Sequence, residues 1–390
     1  MNPIWEYTIK LIRFVLNGDV PELPENIDFE QLFAFGRSHG VENMLYVGLR
    51  DLNINVPKET MQKFKTAYEM QIMIEATQAL EFKNLSDAFC KAEIDFLPLK
   101  GIVIRDLYPM PDYRKSNDID ILIRPGDETE VHALMIENGY ELIERDHVNL
   151  HLEYKKPPFL LVEIHLRMVE TDNRAYNFFS NIWSMAVPSA EPKHMYIMED
   201  ECFYTFIIAH LCKHIRNGGA GIKFIADIWI LLKHFKYDEQ KLEQILKKAN
   251  IAQFETWTRD LTYWWFGNGE PNDRNVYTLS SFIAESGSYG TLELNKRIHA
   301  GEVAGNIHSR VLYRCNRLWH STFLSYNAMK VQYPFIEKYR VLYPVTWFMR
   351  ILRMLTKEKR SVSDMVYSSA HIDVDKSKQL SEIWNAVKEI

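Results

Sequence analysis

The sequence predicts an α/β (α+β) protein with a small mixed sheet over residues 76–170, an N-terminal helical unit over 1–75 and a C-terminal helical domain over 195–390. Two observations carry this. Apolar residues recur at helical spacing at both ends of the chain, and short alternating runs bounded by Gly and Pro fill the middle. With 47% hydrophobic residues in 390, there is ample material for a core.

From residue 3 to about 70, Ile4, Ile9, Leu11 and Ile12, then Phe29, Leu32, Phe33 and Phe35, follow the helical period, with PELPEN as the turn between them. A longer helical pattern from about Glu59 to Lys91 leads into IDFLPLK, a buried strand that Gly101 ends. A short helix over Ile102–Tyr108, the turn YPMPDY, the strand DIDILIR and a helix opening at PGDETE follow. Alternation then runs through ELIERD, VNLHLEY and FLLVEIHLR, with Pro157-Pro158 parting the last two. Beyond residue 195 the segments ECFYTFIIAHLCKHIR, KFIADIWILLKHF, YDEQKLEQILKKAN and AQFETWTRDLTYWW read as helices of a bundle.

A formal charge of -6 gives no general attraction for nucleic acid, so no long polymer is expected as a partner. Cys90, Cys202, Cys212 and Cys315 are scattered and form no CxxC pair, which excludes a zinc ribbon or disulfide framework and fits a reducing compartment. No signal peptide and no uncharged apolar run of membrane-spanning length is read, so a cytoplasmic location is expected.

The chemistry concentrates in two strands. In DIDILIR, alternation turns Asp118 and Asp120 to one face and Ile119, Ile121 and Ile123 to the core. Two carboxylates so close repel, and a divalent cation, magnesium first among candidates, neutralises them. In FLLVEIHLR, Leu160, Val162, Ile164 and Leu166 form the apolar face, and Glu163, His165 and Arg167 the polar one. If this strand lies beside DIDILI, Glu163 completes three carboxylates, enough for a two-metal site. Gly101 at a helix start opens backbone N–H groups to a phosphate, and Lys100 and Arg114 supply positive charge.

The run LPLKGIVIRDLYPMPDYRKSNDIDILI, followed by VEIHL, resembles the poorly characterised bacterial nucleotidyltransferase family of the polymerase-β-type superfamily, over roughly residues 75–235. The marks of that family are an LKG segment, a YP turn, an R-x-x-x-DxD stretch and a later acidic residue followed by x-His. The resemblance implies that the sheet is a nucleotidyltransferase core. It implies that Asp118, Asp120 and Glu163 bind two magnesium ions, and that Lys100, Gly101, Arg114 and His165 contact the nucleotide. Two departures stand out: Lys100-Gly101 occupies the place where the wider superfamily has Gly-Ser, and the third acid is Glu163 where relatives often have Asp.

The expected reaction moves a nucleoside monophosphate from an NTP to an acceptor hydroxyl, with release of pyrophosphate. The acceptor, a small molecule or a protein, and the oligomeric state stay open. The alternative is a catalytically inactive nucleotide- or protein-binding module on the same fold. His210 and His214, at i and i+4 with Asp227 on the next helix, form a further metal-ligand pattern. It is read in preference as a helix pair lending polar groups to the nucleotide pocket. RNGGAGIKF is read as a helix connection before a phosphate cradle, YWWF and LYRCNRLW as core before base-stacking platforms, and VTWFMRILRMLTKEKR as a bundle helix before a membrane-surface helix.

Overall fold

A computed structural model describes residues 3–22, 26–145, 151–169, 175–288 and 290, then 329, 333, 336, 343–347, 349 and 374–387. Three helices, α1 (Pro3–Asn17), α2 (Phe29–His39) and α3 (Glu42–Asp51), precede a 34-residue α4 (Lys58–Lys91). Local chemistry sets their ends. Asp28 caps α2 by accepting from the backbone N–H groups of Glu30 and Gln31, and Gly40 closes it in the left-handed region at φ +67°.

Helix α4 runs unbroken from the N-terminal helices to the sheet. Near its start Phe64 stacks edge-on against Phe33, with ring centroids 5.0 Å apart. Near its end Leu85 and Phe89 enter the sheet core. At 1.5 Å per residue it is about 50 Å long, enough to serve both units.

The sheet has five strands, β1 (Phe96–Leu99), β2 (Ile119–Ile123), β3 (Glu141–Arg145), β4 (His151–Lys156) and β5 (Leu160–His165), in the order β1-β2-β5-β4-β3. Only β2 and β5 pair in parallel; the other neighbours are antiparallel, so the sheet is mixed, as the sequence predicts. Between β1 and β2 lie the one-turn helix α5 (Gly101–Ile104) and two 3-10 turns, Arg105–Leu107 and Pro111–Tyr113. Helix α6 (Glu128–Glu137) connects β2 to β3.

One sheet face is the core. Ile119, Ile121 and Ile123 of β2 and Leu160, Val162 and Ile164 of β5 pack with Leu85 and Phe89 of α4 and with Val131 and Met135 of α6, all at most 3% exposed. Each such side chain contributes roughly 1.5–3 kcal/mol on burial. Alternation therefore sends Asp120, Glu163 and His165 to the opposite face. The edge strand β3 is exposed along its whole length, and the alternation of ELIER buries nothing.

After β5 come two one-turn helices, α7 (Tyr176–Phe179) and α8 (Ile182–Met185), and a hairpin of β6 (Ala186–Pro188) and β7 (Tyr196–Met198). Helices α9 (Asp200–Arg216), α10 (Ile222–His234), α11 (Glu239–Lys248), α12 (Ala252–Phe266) and α13 (Arg274–Ser286) follow. The aromatic run at 263–266 contributes Trp265 and Phe266 to the core, with Trp265 edge-on to Trp5 of α1 at 5.5 Å. By contacts the chain forms two units: Met1–Thr291 with Ala386–Ile390, and Leu292–Asn385. LYRCNRLW and nearly all of VTWFMRILRMLTKEKR lie outside the described residues. Among the described residues no helix is long and apolar enough to cross a membrane.

Candidate active site

The turn after β1 is built around an unusual backbone. Lys100 sits at φ +48°, ψ -120°, a region that side chains other than glycine's enter only under strain, of order 1–3 kcal/mol. From there its ammonium reaches Asp120 Oδ1 at 2.6 Å and Glu163 Oε2 at 3.9 Å. The next residue must be glycine for a packing reason. A Cβ on Gly101 would fall 2.3 Å from Arg114 Nη1 and 2.7 Å from Ser116 Oγ. Gly101 thus makes room for Arg114 and Ser116.

The parallel pairing of β2 with β5 puts Asp120 directly opposite Glu163. Two residues on, His165 turns to the same face, and its Nε2 lies 2.8 Å from Asp120 Oδ1 and 3.2 Å from Glu163 Oε2. Both neighbours are carboxylate oxygens, so Nε2 carries the proton and donates. The other ring nitrogen, Nδ1, is buried without a hydrogen-bond partner. Ligand atoms of Asp120, Glu163 and His165 all lie within 4.8 Å of one another, a spacing at which they could hold a metal ion. Asp118 is outside that trio but lines the same cavity, and the Ser116 hydroxyl lies 3.1 Å from its carbonyl oxygen and 3.3 Å from Oδ1.

These groups compete for charge. Burial opposes ionisation of Asp120, yet Lys100 and the bond from His165 outweigh it and hold its carboxyl well below the usual range. Asp118 goes the other way. Burial, then the Asp120 carboxylate, push it up to about 6 although Lys100 opposes them. For His165, burial and Lys100 disfavour the cation, but the bonds to Asp120 and Glu163 prevail and raise its pKa. Lys100 is likewise raised, its burial outweighed by Asp120, Glu163 and Asp118. The ammonium thus stands among three carboxylates as their counter-charge, and Asp118 is the least well compensated.

The far wall comes from α9 and α10. His210, Lys213 and His214 of α9 and Lys223 and Phe224 of α10 close a cavity of about 240 Å³ over the acids. Burial, then neighbouring cations, keep His210 and His214 neutral, the latter near 3, and their Nε2 atoms lie 3.1 Å apart. Burial and then Arg114 bring Lys223 down to about 8. Two larger hollows, of about 330 and 700 Å³, lack the carboxylate–histidine cluster.

Comparison with known proteins decides the family. The family described as "Uncharacterised nucleotidyltransferase" matches residues 25–267. The chain belongs to this nucleotidyltransferase family. No curated protein matches. A solved structure of an antigenic nucleotidyltransferase-like protein from Paracoccidioides brasiliensis is similar over 50% of this chain and 93% of its own, at 14% identity and a TM-score of 0.33.

Within this nucleotidyltransferase, the residues singled out from sequence distribute unevenly. Lys100, Gly101, Arg114, Asp118, Asp120, Glu163 and His165 all line the one cavity. Arg114, however, gives Nε and Nη2 to Asp227 at 3.2 and 2.9 Å, and the Tyr108 hydroxyl donates to the same carboxylate at 2.8 Å. That triad is buried and locks α10 onto the segment before β2. Among the described residues the metal-spaced group is Asp120, Glu163 and His165, and His210, His214 and Asp227 form none. Lys223 and Ser288 also line the cavity, and of the two Ser288 carries no motif in the sequence. The only sign of Lys223 is its place just after the glycine run.

Proposed function

We propose that this nucleotidyltransferase moves a nucleoside monophosphate from an NTP to an acceptor hydroxyl, with release of pyrophosphate, in a magnesium-dependent reaction. One observation carries the reading: the parallel register that sets Asp120 against Glu163, with Asp118 two residues earlier, on a sheet face under a cavity. The donor set fits the metal. Hard carboxylate oxygens suit magnesium, and Asp118, Asp120 and Glu163 would hold two ions. The rise in the Asp118 pKa supports this, because a carboxyl held near others without full compensation is what a cation relieves. Bound magnesium would activate the attacking hydroxyl and neutralise charge on the transferring and leaving phosphate oxygens.

The chain's own groups do the rest. His165 donates to Asp120 and Glu163 and fixes where their oxygens point, which makes it a positioning residue. Lys100 holds the carboxylates together, and its ammonium can pass to a phosphate oxygen once metal takes its place between them. The walls of α9 and α10 enclose the cavity on the side away from the sheet.

The experiment is a label-transfer assay with each of the four NTPs over pools of small molecules and of proteins, with magnesium and with EDTA. Label at the α-phosphate of one NTP is expected to appear on acceptor only with magnesium, while label at the γ-phosphate leaves as pyrophosphate. Transfer of γ-label to the acceptor would overturn this reading and indicate a kinase.

A further inference from the structure

We propose that Lys223 and Ser288, at the amino end of α10, form a phosphate subsite in the cavity wall that faces Asp118, Asp120 and Glu163. Lys223 is a half-buried lysine with no carboxylate within ion-pair distance and no hydrogen bond among the described residues. The Phe224 ring lies beside its ammonium, 5.2 Å from the centroid. The stem passes over Gly40, where a Cβ would stand 3.2 Å from Lys223 Cδ. Such a charge costs free energy to keep out of water unless an anion meets it.

Ser288 is the second, independent sign. It is 3% exposed, it lines the same cavity, and its hydroxyl has no hydrogen-bond partner. A buried hydroxyl left unpaired is unfavourable, and a ligand oxygen would remove that cost. The glycine run makes its place. A Cβ on Gly221 would fall 2.2 Å from Ser288 Oγ and 2.8 Å from the His39 carbonyl oxygen. Gly221 precedes the 13-residue α10 and offers no side chain to cap it; His39 Nδ1 takes the first N–H, that of Ile222, at 3.4 Å, and the positive end of the helix dipole lies at the same spot. The Arg114–Asp227 pair, one turn further along α10, fixes that end against the sheet side.

An ammonium, a hydroxyl donor and a helix amino end suit a tetrahedral oxyanion with several acceptor oxygens. The volume narrows the choice. About 240 Å³ lies below the roughly 300–1,000 Å³ of cavities that enclose whole drug-sized ligands, so the cavity takes a phosphate portion and leaves a base and sugar outside. The phosphate is either the terminal pair of the donor triphosphate or a phosphate on the acceptor. Its assignment to either substrate rests on the nucleotidyltransferase reading; the subsite itself does not.

The test is calorimetric titration of inorganic pyrophosphate into the full chain in EDTA, for the parent, Lys223→Gln, Ser288→Ala and Asp120→Asn. Lys223→Gln is expected to weaken binding about tenfold or more and Ser288→Ala about threefold, while Asp120→Asn binds at least as tightly as the parent. A parent that binds no pyrophosphate, or a folded Lys223→Gln that binds it equally well, would overturn the subsite. Pyrophosphate held through Lys223 with no magnesium–NTP binding would leave the subsite standing and sink the nucleotidyltransferase reading instead. Repeating the titration with NTP and the matching NMP tells the sources apart. A Lys223→Gln defect for NTP but not NMP identifies the donor's terminal phosphates, and a pyrophosphate defect with unchanged NTP binding identifies an acceptor phosphate.

Discussion

Two buried charge clusters flank the same cavity, and they are built on opposite plans. Around Asp227 the account closes: Arg114 grips both carboxylate oxygens, Tyr108 adds a third bond, and the charges balance. Around Asp120 it does not close. Three carboxylates share the Lys100 ammonium, Asp118 is pushed up to about 6, and His165 Nδ1 is buried without a partner. The closed cluster is internally compensated and works as a tether for α10. The open cluster retains unmet electrostatic demand, and the chemistry proposed for this protein belongs there.

The largest effect that sharpens this contrast is on stability. Arg114→Met leaves Asp227 buried and unpaired and is expected to remove about 3–5 kcal/mol, as is Asp227→Leu alone, in urea melts. The double variant, with no charge left to strand, should recover most of that loss. Single variants as stable as the parent would show that the pair does not hold α10.

A smaller effect concerns pH. His39 is 1% exposed and accepts from Ile222 N–H through Nδ1 at 3.4 Å, and burial lowers its pKa from 6.5 to about 4. A depressed histidine pKa means that the unfolded chain takes up a proton the folded chain refuses. Stability should therefore fall as pH drops from about 6.5 to about 4, with up to about 2–3 kcal/mol due to this residue. His39→Gln should flatten that part of the melt-versus-pH curve. An unchanged slope would show that His39 is protonated inside the fold, and that closed packing here does not set its charge.

Much of the candidate site's sheet face is legible in one dimension because strand alternation is local. Asp118, Asp120, Glu163 and the core isoleucines follow from period two, and the pairing of the two strands, which the sequence leaves as a condition, is met in the register of Asp120 with Glu163. The span of α4 follows from its period as well. What escapes the sequence depends on partners far along the chain. The sequence offers Arg114 as a phosphate ligand but does not show that Asp227, 113 residues away, takes two of its nitrogens. Nor does the sequence show that the Arg114 and Ser116 side chains pack where a Cβ on Gly101 would stand. Lys223 lies in the RNGGAGIKF run, which reads in preference as a helix connection, Ser288 carries no motif, and tertiary packing brings both into the cavity with the acids.

The most direct test of the open cluster is titration of ATP, GTP, CTP and UTP into the full chain, with magnesium and in EDTA, alongside an Asp118→Asn/Asp120→Asn variant. The expected result is binding of at least one nucleotide that strengthens with magnesium in the parent, while the variant, still folded, loses that metal-dependent gain. No metal-dependent binding of any nucleotide by the folded parent, or equal binding by the variant, would contradict the assignment of Asp118, Asp120 and Glu163 as the metal-holding centre.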